Sequence, residues 1–86
     1  MIADQMTRRL AALEPTALQV LDESESHRGH SGFREGGESH FRVIMASPAF
    51  AGLSRIQRHR LVHATLGDIV PRIHALALEL SESPAR

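Results

Sequence analysis

Residues 39–80 read SHFRVIMASPAFAGLSRIQRHRLVHATLGDIVPRIHALALEL. From Ser39 to Ala46, Phe41, Val43 and Met45 alternate with His40, Arg42 and Ile44, the period-two pattern of a half-buried strand. Ser47 and Pro48 break the pattern, and the segment up to Gly52 reads as a turn. Ser54 is a good N-cap for a helix expected over 54–69. Ile56, His59, His63 and Leu66 fall on one stripe of that helix, with Val62 and Ile69 beside it. Arg55, Arg58 and Arg60 spread around its flanks, and Pro71 ends it. Ile73 to Leu80 forms a last strand, with Leu76, Leu78 and Leu80 on the face that also carries His74.

Upstream, Ile2, Met6, Leu10 and Leu13 recur at three- and four-residue steps, predicting an amphipathic helix over 2–13. Asp4 in the first turn and Arg8 and Arg9 near the end suit the helix dipole, and Pro15 stops the helix. Thr16 to Ser24 alternates loosely and reads as a strand. Residues 25–38, ESHRGHSGFREGGE, form a loop with four Gly and two His, longer than a tight hairpin connection. The order is helix, strand, strand, helix, strand. Two strands joined by a loop pair antiparallel, and the second helix crosses over so that the last strand joins them. The expectation is a two-layer α+β domain over 1–80, both helices covering one face of a three-stranded mixed sheet. Residues 81–86 are expected to fray.

The bulk numbers narrow the function. At 86 residues the chain is one domain at most, and three Phe with no Trp or Tyr leave the core to aliphatic residues. Ten basic residues, all Arg, balance ten acidic ones, so no global electrostatic footprint for nucleic acid exists. Zero Cys excludes a disulfide framework and an all-protein thiolate metal site. Neither a signal-peptide pattern nor an apolar run of roughly 20 residues is present, so a soluble cytoplasmic protein with no membrane association is expected. No nucleophile elbow, phosphate-cradling Gly loop or paired carboxylates can be found, so an enzyme with a small-molecule substrate is not expected.

The chemistry that remains lies in histidines and one Arg-rich helix. His59 and His63 stand four apart and share a helix face, but no zincin Glu accompanies them. Lying on the apolar stripe, they are expected to be a hydrogen-bonded, partly buried pair rather than metal ligands. His74 opens the last strand. A loop folding back would bring His27 or His30 toward it, giving half of a metal site whose other ligands must come from a partner. Arg55, Arg58 and Arg60 are candidates for phosphate contact, against a plain solvated helix face. The crossover arrangement is similar to the KH nucleic-acid module, but that module's GXXG clamp has only Ala51-Gly52-Leu53-Ser54 as its nearest counterpart, with one Gly.

VLDES at 20–24, ESHFRV at 38–43, FAGLSRIQRHRLVHATL at 50–66 and IHALAL at 73–78 together resemble the BolA family, over roughly residues 5–80. The resemblance implies a class II KH-like fold and a partner, a monothiol glutaredoxin. It also implies a two-iron two-sulfur cluster shared with that glutaredoxin and glutathione, and no cofactor in the isolated protein. The position matching the family's ligand His is His74. The loop ligand, His or Cys in the family, matches His27, with His30 as competitor, which resembles the His-loop subtype. A second expectation from the family is a DNA-binding, stress-responsive transcriptional regulator affecting cell shape, its contacts made by Arg55, Arg58 and Arg60.

Overall fold

The computed structural model describes residues 1–24 and 39–82. The elements follow the expected order: α1 (Ile2–Leu10), β1 (Ala17–Asp22), β2 (His40–Ala46), α2 (Arg55–Leu66) and β3 (Ala75–Ser81). Short 3-10 turns occupy Ala11–Leu13, Pro48–Phe50 and Gly67–Arg72. The sheet order is β1-β2-β3. β1 runs antiparallel to β2 with Val20 opposite Val43, and β3 runs parallel to β2 with Leu78 opposite Val43. A parallel neighbour requires a crossover, and α2 supplies it. The fold is α+β, with two helices and a three-stranded mixed sheet.

The alternation in β2 sorts its side chains as expected. Phe41, Val43 and Met45 are buried, while Arg42, Ile44 and Ala46 are half-buried. Onto the buried row pack Met6 and Leu10 of α1, Val62 and Leu66 of α2, and Phe50 and Ile69 of the connecting turns, all within one core cluster. Leu76, Leu78 and Leu80 flank that core from β3, and Leu18 and Val20 from β1. On the opposite sheet face Arg42 crosses all three strands, its Nε donating to Glu23 Oε2 (3.0 Å) and its Nη1 to Glu79 Oε2 (2.8 Å).

Several boundaries differ from the sequence reading. The first helix stops being α-helical at Leu10, and Glu14 takes a left-handed conformation (φ 51°) ahead of Pro15. Proline disfavours the right-handed α conformation in the residue before it, so the helical path, continued as a 3-10 turn to Leu13, ends at Glu14. α2 ends at Leu66 rather than 69 because Gly67 turns to φ 58°, and Pro71 lies inside the 3-10 segment that follows. At the other end of α2 Ser54 forms a full capping box with Gln57. β3 starts at Ala75 rather than Ile73 and continues through Ser81, whose carbonyl accepts the Ser47 N–H at 3.0 Å. Ser81, expected in a frayed tail, is therefore part of the sheet.

The largest correction concerns α2. His59 is half-buried as expected, but His63 is exposed, so the two do not form a partly buried pair. The buried line runs through Val62 and Leu66, and Ile56 keeps 62 % of its surface in solvent. At about 100° per residue Ile56 and His63 nearly eclipse each other, about 100–120° from Val62 and about 60–80° from Leu66. The stripe drawn through Ile56 and His63 is therefore the outer face.

Candidate functional site

The end of β1, the start of β2 and the start of β3 meet at one corner of the sheet. Ser24 follows β1, and its hydroxyl donates to Asp22 Oδ1 at 2.5 Å. The same oxygen accepts the backbone N–H of Ser39 (2.9 Å) and of His40 (3.1 Å). Ser39 in turn offers its carbonyl to the N–H of His74 (2.8 Å) and of Ala75 (3.1 Å). One small side chain thus closes the corner across residues 24 and 39, and one carbonyl attaches β3 to it. Ser24, Ser39 and His40 are all buried. Buried polar groups persist only when hydrogen-bonded, and here each has partners.

Two histidines stand side by side at this corner. His40 is 3 % exposed, and its Nδ1 lies 2.8 Å from Ser39 Oγ. His74 is exposed, with its ring centroid 5.1 Å from that of His40 and the planes tilted by 55°. The exposed ring therefore rests on a buried, hydrogen-bonded one. Because β3 begins only at Ala75, His74 does not continue the half-buried row of Leu76, Leu78 and Leu80. Its solvent-facing imidazole is the kind of donor a metal held by a partner requires. His27 and His30 lie outside the described residues. Among the described residues no group of three or more His, Cys, Asp or Glu is placed to hold a metal ion.

His40 was missed as a site residue in the sequence reading, which placed it on the polar side of a strand. Its proximity to His74 depends on parallel register: His40 pairs with Ala75, so the two histidines head neighbouring strands. The signal was the presence of a His at the start of both predicted strands.

The three arginines do not share one face. Arg55 and Arg60, with Ile56, His59 and His63, line an open groove of about 500 Å³ on the outer side of α2. Arg58 is half-buried on the other flank, its Nε donating to the Leu53 carbonyl at 3.0 Å. α2 contains three Arg, two His and no acidic residue, so its field is of one sign although the chain is formally neutral. No helix among the described residues is long and apolar enough to cross a membrane.

Comparison with known proteins agrees with this architecture. A family model described as BolA-like protein matches residues 10–83. The Vibrio cholerae DNA-binding transcriptional regulator BolA is 42% identical over 80 residues, covering 91% of this chain and 72% of that protein. Human BolA-like protein 1 is 42% identical over 81 residues, covering 93% of this chain and 56% of that one. This chain therefore spans little more than half of the human relative. Among solved structures, the BolA domain of SufE1 from Arabidopsis thaliana superposes with a TM-score of 0.81 at 34% identity, covering 93% of this chain and 90% of that domain. On the evidence of sequence and fold alike, the chain belongs to the BolA family.

Proposed function

We propose that this chain is a non-enzymatic partner of a monothiol glutaredoxin, with which it shares a two-iron two-sulfur cluster for iron–sulfur trafficking or iron and redox sensing. The observation that carries this reading is the exposed imidazole of His74, held at the corner where residues 24 and 39 are hydrogen-bonded together. The intervening segment contains His27 and His30. His27 is three residues from Ser24, a covalent reach of roughly 10 Å. The donor set fits a shared cluster. A chain without Cys supplies no thiolate, so the thiolates must come from the glutaredoxin and from glutathione. Such a cluster, when bound, supplies one-electron chemistry or transferable iron and sulfide. This chain's residues bind and orient: His74 as one ligand, His27 or His30 as the second, and Ser39 and His40 as the support behind His74.

The test is reconstitution with a monothiol glutaredoxin and glutathione, followed by visible absorption and circular dichroism. A spectrum distinct from that of the glutaredoxin alone, lost in His74→Ala and in one of His27→Ala or His30→Ala, is expected. A wild-type chain that adds nothing to the glutaredoxin spectrum overturns the reading. A protonated imidazole cannot bind metal, so the mixed-ligand spectrum should also fade on acidification.

A second reading, DNA binding through α2 by a transcriptional regulator, is favoured by the absence of acidic residues on that helix and by relatives named as DNA-binding transcriptional regulators. Affinity for duplex DNA that falls steeply with salt, and falls further in Arg55→Ala and Arg60→Ala, supports it. Weak binding indifferent to those arginines removes it.

A further inference from the structure

The outer side of α2 has a pair of side chains that neither reading uses. His59 and His63 stand about one helical turn apart, a rise of roughly 6 Å, and both line the same open groove. A structural role would commit their ring nitrogens to partners inside the fold. Neither ring makes a hydrogen bond or an ion pair among the described residues, whereas the buried ring of His40 lies against Ser39 Oγ. His63 is exposed, and His59 is half-buried at the edge of the same face. The two imidazoles are therefore uncommitted neighbours on a rigid helix.

Ligand chemistry decides what suits this pair. Side chains four apart on a helix have Cβ atoms about 5–6 Å apart, and metal–imidazole bonds are about 2.0–2.1 Å, so one ion between the rings can take a nitrogen from each. The partial burial of His59 restricts its rotamers, which lowers the entropy lost on binding. Imidazole ligands suit Cu²⁺, Ni²⁺ and Zn²⁺, whereas Mg²⁺ and Ca²⁺ require oxygen ligands. α2 has no acidic residue to supply them. His63 lies in the last turn of α2, where the negative end of the helix dipole favours a cation. Arg55 and Arg60 oppose a bare ion, but both are exposed, and their repulsion is screened by salt. They also favour an anion, a carboxylate or phosphate, in the coordination positions that two histidines leave open.

We propose that His59 and His63 form a surface site for a divalent transition-metal ion, Cu²⁺ above Zn²⁺, with its remaining positions open to exchangeable ligands. Open positions distinguish a site that loads and releases an ion from a closed structural one. His59 also borders Leu78 to Leu80. Those residues lie four to six positions along β3 from His74, roughly 13–20 Å. One ion cannot bridge that distance, so the site is independent of cluster binding.

The test uses the full chain carrying His27→Ala, His30→Ala and His74→Ala, so that the cluster corner contributes no exposed imidazole. Cu²⁺ and Zn²⁺ are titrated by calorimetry, and the Cu²⁺ form is read by electron paramagnetic resonance for nitrogen ligands. One ion should bind per chain, Cu²⁺ more tightly than Zn²⁺, with a signal from two equatorial nitrogens. His63→Ala in this background should weaken Cu²⁺ binding by about tenfold or more. His63→Gln combined with Ala64→His keeps the number of histidines but turns the second ring about 100° around the helix, and should weaken binding as much. Both positions are exposed, so circular dichroism and melting of the metal-free variants should match the parent. Absence of saturable binding in the parent overturns the proposal. Equal affinity in the shifted variant also overturns it, because any exposed imidazole would then hold the ion. A stoichiometry of one ion per two chains, with dimers in sedimentation, would assign the ligands to separate copies and overturn it as well.

Discussion

A single hydroxyl governs the candidate cluster corner. Ser24 Oγ accepts two backbone N–H groups, those of Ser39 and His40, while donating to Asp22. Removing it strands two donors at a site where Ser24 itself is only 1 % exposed. Ser24→Ala should therefore destabilise the fold by about 1–3 kcal/mol, read from the urea midpoint at constant slope. An unchanged midpoint would mean that water takes over both bonds. His40 supports the same corner from the other side, through Ser39 Oγ and the ring of His74. His40→Ala removes both contacts and should change the imidazole resonances of His74 in a histidine-selective NMR spectrum. An unaltered His74 signal would show that the two rings do not act together.

At the scale of elements, α2 has two faces whose importance the structure reverses relative to the sequence pattern. Leu66 is fully buried and Ile56 is mostly exposed. Leu66→Ala should cost about 2–5 kcal/mol and Ile56→Ala less than about 0.5 kcal/mol, measured by denaturant titration. Comparable costs would return Ile56 to the core. The C-terminus of α2 is held by Arg9 of α1, whose Nη1 donates to the Leu66 carbonyl at 2.6 Å and also to Asp68. A cation at a helix C-terminus is well placed in the helix dipole. The hydrogen bond from Arg9, and then its charge, hold the Asp68 carboxyl below its ordinary value of 3.8. A carboxylate lowered in the folded state contributes stability that is complete above its unfolded value and is lost as pH falls through its folded value. Melting temperatures taken from pH 5 to pH 2 should therefore show a shallower acid limb in Asp68→Asn than in wild type. Parallel limbs would show that the exposed pair contributes nothing.

At the scale of the whole molecule, neutrality and histidine content act together. Ten basic and ten acidic residues cancel at pH 7, and six histidines add positive charge on acidification. Low net charge favours self-association. Solubility against polyethylene glycol should be least near pH 7 and rise toward pH 5. A flat profile would mean that local patches, above all the acid-free surface of α2, control association. The sheet is covered on one face by the core and carries the Glu23–Arg42–Glu79 bridge on the other.

Much of this architecture is local chemistry written along the chain. The alternation of Phe41, Val43 and Met45 specifies a strand and its buried face, Ser54 specifies where α2 begins, and Pro15 stops the first helix. These signals operate within a few residues, so they survive without the rest of the fold. His74 was legible in the same way, as a histidine before a leucine-rich strand. What could not be read along the chain depends on groups distant in sequence. The contact of His40 with His74 follows from the parallel register of β2 and β3, and the exposed face of α2 follows from where α1 packs. The edge position of β3, with no second neighbouring strand among the described residues, follows from the strand order. Register, packing partner and edge position are set by summed contacts between separate elements, and no periodicity within one element encodes them.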